Sequence, residues 1–170
     1  MESELAAMSC VQPPDRLLIG DGATRHAVLA ALPEHGQVHF AGHAFQDFRE
    51  PDRSALILHD GPLTVAELAT LDLPGAELAY LSACESAAGA PVLADESIHL
   101  ASALQRIGYR HILAAIWPLP DRAAAAIAGA FYETASATSP AVALHRAVGE
   151  LRAADPTDPS RWASYLHLGP

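Results

Sequence analysis

With 170 residues the chain has room for one domain with a substantial core, and an apolar content of 51% rules out a disordered tail. Its 20 acidic side chains outnumber 10 basic ones, a formal charge of −10, the wrong balance for a protein whose main ligand is DNA or RNA. All ten basic residues are arginines, which with the high alanine content points to a GC-rich bacterial gene. Two cysteines, Cys10 and Cys84, make no disulfide framework and form no CxxC pair, as expected in a reducing cytoplasm. No basic segment leads into a long apolar stretch at the N-terminus, and runs such as ILAAIWPL are far too short to span a bilayer. Neither a secretory signal nor a membrane partner is expected.

In chain order, residues 1–15 read as a loose lead-in broken by QPPD, and 16–170 as a single domain. RLLIG is a short strand candidate. GATRHAVLAALPEHG reads as a helix, capped at Asp21 or Thr24 and ending near Pro33 and Gly36. QVHFAGH is a strand ending at Gly42 and His43. SALILHDGPLT predicts a strand, a tight turn at Asp60 and Gly61, and a short return. VAELATLDL is a short helix closed by Pro74 and Gly75. ELAYLSA is a buried strand, and ESIHLASALQRIG a helix with Leu100, Leu104 and Ile107 on one face and Gly108 as its stop. RHILAAIW is a further buried strand. DRAAAAIAGAFYETA is a helix with Ala124, Ile127, Ala128 and Phe131 inward. Ser139 and Pro140 open a last helix in the cap-then-proline order, and SYLHLG closes the chain as a strand.

Strands and helices alternate, and the strands are continuous apolar runs. That pattern predicts an α/β fold with a mostly parallel sheet and helices on both faces. Ligands of such sheets sit beyond the carboxyl ends of the strands. His43, Cys84 and the stretch from Trp117 to Asp121 each follow a strand, so one rule sends all three to the same rim. A nucleophilic thiol needs a base and an oxyanion pocket. His43 is the candidate base for Cys84, and the backbone N–H groups of Cys84 and Ala44 are the candidate donors. On residues alone, a structural cysteine at a strand end is an equal alternative. HFAGH lacks the glutamate of a zinc-protease helix, and on a strand His39 and His43 lie roughly 13 Å apart, too far to share a metal. GDGATR lacks phosphate-loop spacing and reads as helix capping. No metal or cofactor is implied.

The residues also resemble a family. VHFAGHA is similar to the histidine motif of CHAT domains, bacterial caspase-like peptidases related to separase. LSACESAAG is similar to their nucleophile motif, and DESIHLASALQRIGYRHILAAIWPLPD to the stretch that follows it. FYETA, SPAVALHRAV and WASYLHLG fit the closing pattern, so the resemblance spans about residues 18–169. It implies a caspase-hemoglobinase-like three-layer sandwich and a Cys84–His43 dyad, without a third orienting side chain. The dyad would hydrolyse peptide bonds of a protein partner. The acidic position at Asp121 implies a pocket for a basic residue before the scissile bond; helix capping is the alternative for that carboxylate. Glu85, Asp95 and Trp117 are the other candidate substrate contacts, with Asp95 and Glu96 also suited to opening a helix. Helical-repeat or effector proteins are the further partners implied. Two positions depart from the pattern. Ala44 stands where glycine usually follows the histidine, and the lead-in is short. A sheet lacking an edge strand, a fragment or a short stand-alone version is therefore expected, and a catalytically weak module used for binding or regulation is the alternative function.

Overall fold

The computed structural model describes residues 2–45, 47, 49–85, 95–117 and 119–170, with residues 2, 83–85 and 95–99 described by backbone alone. Twelve elements follow one another among these residues: α1 (Glu2–Val11), α2 (Arg25–Ala31), β1 (Gln37–Phe45), β2 (Ala55–Leu58), β3 (Gly61–Thr64), α3 (Val65–Leu68), β4 (Leu78–Glu85), α4 (Asp95–Arg106), β5 (His111–Ala115), α5 (Asp121–Ala135), α6 (Pro140–Ala154) and β6 (Tyr165–Leu168). The strands form one mixed sheet in the order β3-β2-β1-β4-β5-β6. β1, β4 and β5 run parallel at its centre, while β2, β3 and β6 join antiparallel at the flanks.

Strands buried on both faces explain the continuous apolar runs. In β4, Ala79 and Leu81 face a cluster built with Val28 and Leu32, Leu68 of α3, Leu100 and Leu104 of α4, and Ile107 just beyond its end. Leu78 and Tyr80 face the opposite cluster, with Met8 of α1, Ile127, Phe131 and Tyr132 of α5, and Leu144 and Ala147 of α6. The result is the expected three-layer α/β/α sandwich.

Local chemistry fixes the element ends. The Thr24 hydroxyl accepts from the Ala27 N–H, so Thr24 caps α2 and Asp21 does not. Thr64 and Glu67 form a reciprocal capping box at α3. The hairpin turns on His59 and Asp60, with Gly61 already paired to Leu58. Ser139 caps α6 ahead of Pro140.

Three expectations need correction. The loose lead-in holds only for residues 12–15, because residues 2–11 form α1. Glu4, Leu5 and Met8 line one face of it and pack beneath α5; the omitted signal was their i, i+1, i+4 spacing. RLLIG forms no strand: Leu18 packs on the core, but Leu17 and Ile19 are 49% and 54% exposed, and their backbone bonding is the local turn from the Gly22 N–H to the Ile19 carbonyl, with no strand beside them among the described residues. Finally, β1 and β4 continue past His43 and Cys84 to Phe45 and Glu85, because β2 pairs with residues 43–45 and the β1–β4 ladder runs on to Ala44 and Glu85.

Gly108 has φ +129, and a Cβ there would collide with the Leu73 carbonyl. Gly149 in α6 has open space at that position. Gly108→Ala is therefore expected to lose more than about 1 kcal/mol, and Gly149→Ala to gain about 0.5–1 kcal/mol, both read from urea midpoints. His167 of β6 lies 3.0 Å from His111, ring nitrogen to ring nitrogen, and burial and then the neighbouring imidazole hold its pKa below the ordinary value. The unfolded chain thus takes up this proton first as pH falls through about 6.5. Stability present above that pH is lost on acidification, and the loss should be shallower in His167→Asn when urea midpoints are compared between pH 7 and pH 5.

Candidate functional site

Because β1, β4 and β5 are parallel, their carboxyl ends open on one rim. On that rim the register sets His43 opposite Cys84 and Ala44 opposite Glu85. Adjacent strands lie about 4.8 Å apart, so two residues 41 positions apart in sequence become lateral neighbours. The strand period of two puts positions 39, 41 and 43 of β1 with positions 80, 82 and 84 of β4. The side chains upstream mark that face as the one covered by α1, α5 and α6: His39 stacks on Tyr80 at 4.4 Å, and the Ser82 hydroxyl lies 2.8 Å from that of Tyr165. His43 itself is exposed. Cys84 and Glu85 are placed by backbone only, and residues 86–94, the rest of the nucleophile motif, lie outside the described residues.

Ala44 is buried and stands in register with Leu56 on one side and Glu85 on the other. No described residue other than glycine has positive φ, so alanine at this position carries no left-handed strain. Its amide, however, lies in the plane of the sheet.

Trp117 follows β5 on the same rim. Its indole N–H donates to the Ser160 carbonyl at 2.9 Å, which ties the strand end to the loop before β6. Asp121 is exposed and is the first residue of α5, not its cap. The cap is Pro120, whose carbonyl accepts from the amides of Ala123 and Ala124. At the first turn a carboxylate still gains from the helix dipole. Asp95 opens α4 in the same way, with its side chain outside the described residues, as is that of Glu96. The structure therefore brings the His43 and Cys84 positions together and puts Trp117 and Asp121 on their rim.

A polar cluster beneath His43 was not legible in the sequence. His39 has Nε2 at 3.0 Å from Glu4 Oε1 and Nδ1 at 2.9 Å from the Tyr132 hydroxyl. Both ring nitrogens of His39 are thus engaged. Glu4 is 4% exposed, and this contact holds α1 to the sheet. Burial pushes the Tyr80 and Tyr132 hydroxyls up from their ordinary values, so both stay protonated. Among the described residues, no group of three or more His, Cys, Asp or Glu is placed to hold a metal ion. None of their helices is long and apolar enough to cross a membrane.

A central parallel ladder, helices on both faces, and a histidine strand registered against a cysteine strand define an α/β sandwich of the caspase-like kind. The CHAT domain profile matches residues 1–170, and the chain belongs to that family, which is related to caspase-like peptidases. No curated protein matches the chain at a significant level.

The registered pair can be checked directly. In a Cys10→Ser background, His43→Cys is expected to be bridged to Cys84 by a bifunctional thiol reagent of about 5 Å span, detected by mass spectrometry of the linked peptides. Thr138→Cys, on the turn after α5, is the unlinked control.

Proposed function

We propose that the chain is a cysteine-type endopeptidase acting on a protein partner. The observation that carries this reading is the register of His43 with Cys84 at the carboxyl ends of adjacent parallel strands, with the histidine open to solvent. In this reading the Cys84 thiolate attacks the peptide carbonyl carbon and forms a tetrahedral oxyanion. His43, having taken the thiol proton, returns it to the leaving amine as the C–N bond breaks. A water deprotonated by His43 then attacks the thioester, releasing the acid product and regenerating the thiol. The reading needs no metal and no third side chain. A free thiol nucleophile suits a reducing cytoplasm.

The oxyanion donors in this reading are the backbone N–H groups of Cys84 and Ala44. Ala44 has a strand in register on each side, so its N–H lies in the plane of the sheet. That pairing favours a second reading, a catalytically silent module that binds or regulates. Asp121 on the rim supports a pocket for Arg before the scissile bond, where a carboxylate pairs with a guanidinium in two parallel hydrogen bonds. Trp117, held by Ser160, supplies a wall, and Glu85 and Asp95 the remaining polar contacts.

Peptide acyloxymethyl ketones that differ in the residue beside the warhead separate these readings. Wild type should be labelled at Cys84, Cys84→Ala not at all, and His43→Ala more slowly by about 10²–10⁴-fold. The Arg probe should outpace the neutral one in wild type but not in Asp121→Asn. A folded wild type that no probe labels would leave the binding module as the better reading.

A further inference from the structure

The end of the β5–β6 ladder opposite the rim holds two histidines that the proposed dyad does not use. β5 begins at His111, and β6 ends one residue after His167. The register sets Leu113 against His167 and Ile112 against Leu168, so His111 and His167 lie diagonally on one face. That is the face of Leu113 and Tyr165, which pack with α5 and α6. Both histidines are partly open to solvent.

His111 Nδ1 stands 3.0 Å from His167 Nε2, and the ring planes are 25° apart with centroids at 5.3 Å. The facing nitrogens thus lie between the rings, close to the line that joins them. Gly169, with φ +148, leaves a space beside them. A Cβ there would lie 2.8 Å from His111 Nδ1, 3.1 Å from His167 Nε2 and 2.6 Å from the Arg110 carbonyl oxygen. Two imidazole nitrogens and one carbonyl therefore surround a single point that the glycine keeps clear. The Arg110 guanidinium is offset by Glu77 at 3.6 Å.

Neutral imidazole is the commonest metal ligand and suits Zn²⁺, Ni²⁺ and Cu²⁺. With bonds of about 2.0–2.1 Å, one ion reaches nitrogens up to about 4 Å apart, so a separation of 3.0 Å requires no shift of either strand. The rings must tilt toward Gly169, which the broad χ2 torsion of histidine permits. Without an ion, one facing nitrogen donates to the other. With an ion, both facing lone pairs bind it, and the protons stand on His111 Nε2 and His167 Nδ1.

We propose that His111, His167 and the Arg110 carbonyl form a binding site for a divalent late first-row metal ion, with water in the remaining positions. The ion clips β6 to β5, the one strand with which β6 pairs among the described residues. β6 carries Tyr165, whose hydroxyl meets Ser82 at 2.8 Å on the face beneath the rim. Fixing the far end of β6 therefore steadies the strand that supports that face. The proposal is independent of the dyad and holds for an active or a silent module.

The test uses the whole untagged chain with Cys10→Ser and Cys84→Ala, which removes both thiols as competing ligands. Calorimetric titration with Ni²⁺ at neutral pH should show one ion per chain. His111→Asn and His167→Asn should each weaken binding at least about tenfold. Zn²⁺ at about a hundred times its Kd should raise the folding equilibrium constant about a hundredfold, read from urea midpoints, and should leave both variants unmoved. Should a variant fail to fold, X-ray absorption of the nickel-loaded parent carries the test, and two imidazole nitrogens are expected around the metal. Binding retained in either variant, no imidazole around the nickel, or no saturable binding at about millimolar Ni²⁺ overturns the proposal. Mg²⁺ binding as tightly as Ni²⁺ would assign the uptake to the net charge of −10 and overturn it as well.

Discussion

The parallel pairing of β1 with β4 is the constraint on which the rest depends. Eight positions of each strand are matched from Gln37 and Leu78 up to Ala44 and Glu85. Side chains alternate with a period of two, so a one-residue slip would reverse every face of one strand and take His43 out of line with Cys84. The register is held because Leu78, Ala79, Tyr80 and Leu81 are all buried, two toward each helical layer. Neither layer can be moved without exposing half of that strand. The geometry of the proposed dyad is therefore a by-product of how the core packs.

The two layers are built differently. The α2, α3 and α4 side is largely aliphatic. The α1, α5 and α6 side, which underlies the face of His43, is aromatic, with Tyr80, Phe131, Tyr132 and Tyr165 in edge and stacked contact. Into this layer α1 inserts Glu4, satisfied by His39, which in turn holds the Tyr132 hydroxyl. Burying such a pair gains little net stability, but removing one partner strands a polar group in hydrocarbon. The cluster thus specifies where α1 sits.

Much of the architecture was legible because local chemistry and the fold agree. Thr24 and Ser139 are caps wherever their helices begin, Gly108 is needed where φ is positive, and apolar runs without alternation mark strands covered on both faces. The rim also followed from one rule about parallel strands. RLLIG misled because three apolar residues suit a strand only if a neighbouring backbone pairs with them, and pairing is not a local property. Residues 1–15 misled in the other direction: α1 is stabilised by docking on α5 and by Glu4 reaching His39, 35 residues away. Capping, the alternative weighed for Asp121 beside a pocket role, does not hold, because the chain enters α5 one residue earlier at Pro120.

The sequence by itself determined the element types from α2 onward, the three-layer α/β class, the family, and the identity of the histidine and cysteine, because periodicity, capping and motif order are all written in short stretches of chain. Tertiary structure alone decided that His43 stands opposite Cys84, that Ala44 is locked between two strands, and that Glu4 and His39 meet. Each of these depends on which backbones lie side by side, and that is set by burial summed over the whole sheet rather than by any residue's own preference.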